Sequence, residues 1–108
     1  MARVAVGDFD AMIAVGITDV LAASRADVVH APTATMLDYL HGCLPTLVVL
    51  DSGGPGADEV VRRIVTELPS VQVVTCSAGS QTLRVYPSFH GGEWFECPLS
   101  ELRRQISG

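Results

Sequence analysis

Four polar side chains stand at or just after the ends of short β-branched or apolar runs: Asp8, Asp51, Thr75 and Cys97. Carboxylates that meet at one edge of a sheet raise one another's pKa or hold a divalent cation, and a hydroxyl facing them senses a bound anion. Asp8 and Asp51 are therefore expected to bind Mg²⁺ weakly at most. The turn Ser52-Gly-Gly-Pro-Gly56 offers backbone amides, but no Walker lysine accompanies it, which excludes a nucleotide P-loop. The plainer alternative at each position is a side chain that caps the turn or helix after its strand. That alternative serves any one of the four better than all four together. All seven basic residues are arginine, so a mechanism that needs a lysine amine is excluded within the chain. His30, His41 and His90 lack metal-ligand spacing. Cys43, Cys76 and Cys97 are odd in number and far apart, and read as reduced thiols without a zinc or disulfide framework.

Positioning such residues requires a scaffold, and 108 residues with 48% hydrophobic side chains suffice for one domain, 1–108, with one real core. Twelve acidic against seven basic side chains, a net charge of −5, argue against direct nucleic-acid binding, which needs a cationic surface. No apolar run approaches the roughly 20 residues of a membrane span, and the N-terminus resembles neither a signal nor a transit peptide. No membrane association and a cytoplasmic location are expected.

Short β-branched runs alternate with helical stretches. Strands are expected at Arg3-Val-Ala-Val6, Val28-Val29, Leu47-Val-Val-Leu50, Val71 to Val74 and Trp94-Phe-Glu-Cys97. The third is wholly apolar, as befits a central parallel strand covered on both faces. Helices are expected over 11–23, from Thr33 to Gly42, over 58–68 and after Pro98, with any helix between 77 and 92 confined to about 81–86. Five strands alternating with five helices predict an α/β fold: a single doubly wound five-stranded parallel sheet with helices on both faces. Ligands then collect at the carboxyl ends of the strands, where Asp8, Asp51, Thr75 and Cys97 fall.

With those residues in place, essentially the whole chain resembles the receiver domain of bacterial response regulators, a flavodoxin-like, CheY-like three-layer sandwich. Val4 to Ile17 resembles the family's first strand and acidic loop. Leu47-Val-Val-Leu-Asp-Ser-Gly-Gly-Pro-Gly-Ala-Asp58 is similar to its phosphoacceptor strand and turn, the most specific match. Val73-Val-Thr75 resembles the strand with the switch hydroxyl, and Trp94-Phe-Glu-Cys-Pro98 resembles the fifth strand. The resemblance places Asp51 at the phosphoacceptor position, Asp8 in the acidic pocket, and Thr75 and Trp94 at the switch positions. It also puts Phe9 where the family has its second acidic ligand, and Cys97 where it has the lysine that pairs with the phosphoryl group. Loss of a ligand and of a positioned charge in such a site costs orders of magnitude in rate.

The resemblance thus implies an atypical receiver, a pseudo-receiver without catalysis or conventional Mg²⁺-dependent phosphorylation. Its expected role is a signalling and dimerisation module for transcription regulation in two-component signal transduction. Tyr86, Phe89 and Trp94, with Phe95, supply four of the six aromatics and are the expected homodimer interface; packing within the core is the other account of them. A C-terminal DNA-binding domain outside the chain is the expected effector. Alternatives are a receiver phosphorylated at Asp51, a receiver that senses a small molecule in the altered pocket, and, more distantly, a haloacid-dehalogenase-like phosphohydrolase using Asp8 and Asp10, with Thr75 or Ser77 as phosphate-binding hydroxyl. A redox-sensitive thiol at Cys97 is a further alternative, though a position beside Asp51 would raise its pKa and make it less reactive.

Overall fold

The computed structural model describes residues 3–7, 19, 27–32, 35–43, 45–53, 56–76, 82–89, 93–98 and 101. Its organising element is Leu47–Asp51, here β3, whose first four side chains are at most 1% exposed. Full burial of a Leu or Val side chain contributes about 1.5–3 kcal/mol, and a strand without a polar face secures that gain only when both of its faces are covered. Alternate residues feed two cores. Leu47 and Val49 join Val4, Val6, Val74, Leu83 and Val85 on one side. On the other side, Val48 and Leu50 join Ala5, Val73 and the helical residues Met36, Leu40, Val61 and Ile64.

Three strands run parallel with β3. β1 (Arg3–Val6) pairs with it on one side, β2 (Asp27–His30) lies outside β1, and β4 (Gln72–Cys76) pairs on the other side. Helix α1 (Met36–Gly42) and helix α2 (Ala57–Glu67) both cover the side of Val48 and Leu50. His41 Nε2 and Glu67 Oε1, 3.2 Å apart, link the ends of the two helices, and Glu67 also accepts from Arg63 Nε at 2.9 Å. The helices expected over 11–23 and after Pro98 lie outside the described residues, apart from Asp19, which is helical, and Glu101, which is in a 3₁₀ turn. No helix among the described residues is long and apolar enough to cross a membrane.

Beyond β4 the structure departs from expectation. The sheet has six strands in the order β2-β1-β3-β4-β5-β6, and it is mixed rather than all-parallel. Thr82–Tyr86, expected to hold any helix of that stretch, is strand β5, antiparallel to β4; Phe95–Pro98 is β6, antiparallel to β5. Connection length accounts for the reversal. A parallel crossover takes a dozen or more residues, whereas 77–81 separate β4 from β5 and 87–94 separate β5 from β6. The side-chain pattern agrees: Leu83 and Val85 are buried while Thr82 and Arg84 are exposed, a period of two that no helix produces. The Cys97–Pro98 bond is trans.

Candidate functional site

The carboxyl ends of β3 and β4 meet as expected, but the pleat divides their polar residues between two sides. In register, Asp51 pairs with Cys76, and Leu50 pairs with Thr75. Asp51 therefore shares its side with Cys76 and the core of Val49 and Val74, while Thr75, only 5% exposed, shares the side of Leu50. The half-buried Asp51 carboxylate turns back on its own loop, where Oδ1 accepts from the Gly53 N–H at 2.9 Å. The Ser52 N–H donates to the Cys76 carbonyl at 2.9 Å and ties the two strand ends together. Burial pushes the Cys76 thiol up to about 12, and the Asp51 charge adds to the effect.

Cys97 is not beside Asp51. It sits on β6, opposite Leu83 of β5, three strands from β3 and so roughly 14 Å away at the usual strand spacing. Its thiol is raised by burial and then by Glu101, not by Asp51. The displacement has the same cause as the sixth strand, because β5 occupies the place beside β4 that a parallel fifth strand would take. Asp8, Phe9 and Asp10, and with them the expected acidic pair and the phosphohydrolase alternative, lie outside the described residues, as does Ser77. Of the expected Mg²⁺ ligands only Asp51 is described, and one carboxylate with an oxygen already engaged by Gly53 is a poor match to an ion that wants six oxygens. Among the described residues no group of three His, Cys, Asp or Glu is placed to hold a metal ion.

What β5 brings instead is Arg84. Its register partners are Thr75 on β4 and Glu96 on β6, so the three residues form a row across the sheet. A cleft of about 310 Å³ opens there, lined by six polar or charged residues, Ser52, Asp58, Thr75, Thr82, Arg84 and Glu96, and by Cys76 and Leu83. Asp58 comes from the first turn of α2, and buried Thr75 is the least exposed of the six. The Arg84 guanidinium lies 3.9 Å from the centroid of the Trp94 ring, a stacking worth about 0.5–1 kcal/mol at an exposed position. A helix over about 81–86, the expectation from sequence, takes Arg84 off the sheet. The alternation of Thr82 to Tyr86 was the signal that would have put Arg84 on a strand.

The chain matches no family model and no curated protein. A solved structure matches its backbone. The crystal structure of NtrX from Brucella abortus, a response regulator, in complex with ATP is similar with a TM-score of 0.60 and 22% identity, over 73% of this chain and 18% of that one. The fold is receiver-like. β3 and β4 lie side by side and parallel, as the sequence implied for its third and fourth strands. Trp94 precedes β6 and is 46% exposed, as a ring stacked on Arg84. Of the other expected interface residues, Phe89 is 73% exposed, and Tyr86 is half-buried against the core on the helix side.

Proposed function

We propose that this chain is an atypical receiver-like signalling module, without catalysis of its own, that passes on its signal without Mg²⁺-dependent phosphorylation of Asp51. The observation that carries the reading is the charge layout at the sheet end. On the side of Asp51 stand Cys76 and, farther along, Leu83 and Cys97, all neutral, whereas Arg84 stands on the side of Thr75. A phosphoryl group on Asp51 would add charge to a carboxylate that faces no positioned cation among the described residues, the arrangement phosphoryl transfer tolerates least. The receiver-like fold supports a regulatory role in the cytoplasm, with transcription regulation through a DNA-binding domain as the expected output.

Output in this reading runs through self-association. Phe89, Trp94 and Phe95 are the large apolar side chains exposed among the described residues; Trp94 and Phe95 stand at the start of β6, whose outer edge has no partner among the described strands. Phe89 is held at φ 61°, a left-handed conformation rare for an aromatic, with its N–H donating to the Pro69 carbonyl at 2.8 Å. Exposed aromatics beside an open edge suit a second copy of the chain. Light scattering should give a dimer mass for the wild-type chain and for Asp51→Asn, and a monomer mass for Phe89→Asp. A monomeric wild type, or a Phe89→Asp variant that still dimerises, rejects this output.

A further inference from the structure

We propose that the cleft between β4, β5, β6 and the start of α2 binds a small molecule carrying both an ammonium and a carboxylate group, of the α-amino-acid class. Ligand pockets are mostly apolar with a few polar anchors; here three charged and three hydroxyl side chains stand beside only Leu83 and Cys76, and the volume of about 310 Å³ suits a ligand of amino-acid size. Its charged groups are of both signs. Among the described residues no ion pair involves Asp58, Arg84 or Glu96, although Arg84 and Glu96 are direct register partners. Trp94 lies against the cation instead, with Arg84 Cζ over the indole at 3.9 Å from the ring centroid. A guanidinium held there carries N–H donors in its own plane for the bidentate grip that suits a carboxylate. Asp58 and Glu96 then offer the ammonium two carboxylates, with the hydroxyls of Ser52 and Thr75 also in the lining. A plain anion is disfavoured because two carboxylates face it against one guanidinium. A plain cation leaves Arg84 unanswered.

The regulatory meaning of such a ligand rests on the receiver-like reading; the binding itself does not. Trp94 is the single tryptophan of the chain and lies on the binding arginine, so its fluorescence reports occupancy. The non-aromatic L-amino acids are titrated one by one into the purified chain at up to millimolar concentration, with melting temperature as a second readout. At least one should give a saturable change in both. Replacing that compound by its amide, or by the matching hydroxy acid, should weaken binding about tenfold or more, as should Arg84→Gln or Glu96→Gln. Both variants change exposed side chains, and circular dichroism checks that they fold. The proposal is overturned if no amino acid responds in either readout, if Arg84→Gln binds as wild type does, or if inorganic phosphate or the amide binds equally well. Measuring dimer mass with and without the bound compound separates the two readings. Binding that leaves the mass unchanged keeps this site and counts against ligand control of self-association.

Discussion

The thiol of Cys76 is the side chain whose environment makes the sharpest quantitative statement. Its pKa rises from 9.0 to about 12 through burial and then through Asp51. The native state therefore holds a proton that the unfolded chain loses above pH 9. The stability contributed is whole below that pH and falls by about 1.4 kcal/mol per pH unit up to about 12. Urea midpoints measured from pH 8 to 11 should fall more steeply for wild type than for Cys76→Ala, and parallel slopes would refute the assignment. Asp51→Asn should remove the smaller electrostatic part and bring the Cys76 thiol into titration at a lower pH, while the amide oxygen still accepts from Gly53. An unshifted thiol titration, read by ultraviolet absorbance, would separate the two groups. These neighbours were legible from sequence only in part. Asp51 at a strand end followed from Leu47 to Leu50. That Cys76, and not Cys97, would be the thiol next to it depended on where the chain reverses.

At the scale of elements, the segments with a single strong pattern are where expected: β1, β3, β4 and the amphipathic α2. Ile64, fully buried on α2 against Val48, Leu50 and Val73, is the anchor of that helix. Ile64→Ala should cost about 2–5 kcal/mol in denaturant unfolding. The turn into α2 has a separate requirement, since Gly56 stands at φ 74° with no atom near enough to meet a Cβ. Gly56→Ala should cost about 1–2 kcal/mol through backbone conformation alone. Gly42→Ala, at the end of α1 with equal room and no positive φ, should be neutral or stabilise by up to about 1 kcal/mol. If both changes cost the same, the conformational account of Gly56 is wrong. The element misjudged from sequence was β5. Gly79 and Pro87 bracket Thr82 to Tyr86 tightly enough to suggest a short turn of helix, yet Leu83 and Val85 alternate with polar residues, and the connections on both sides are too short for a crossover. Weighing connection length together with period would have given an antiparallel strand, and with it Arg84.

Taken as a whole molecule, the chain is acidic, with a net charge of −5, and presents Trp94 and Phe95 at the start of β6, the last described strand of the sheet. Two copies that meet there repel each other, so self-association should strengthen as salt screens the charge, since the screening length falls from about 30 Å at 0.01 M salt to about 10 Å at 0.1 M. A dimer that weakens with salt would instead be held by ion pairs. The absence of lysine takes on a spatial meaning at this scale. The place beside β4 is filled by a strand whose arginine serves the side of Thr75, and the side of Asp51 stays neutral. The most direct test of that account is to incubate the wild-type chain with acetyl phosphate and Mg²⁺ and resolve phosphorylated from unphosphorylated protein on a phosphate-affinity gel. The prediction is a single unshifted band. A stoichiometric shifted band that disappears in Asp51→Asn would contradict it.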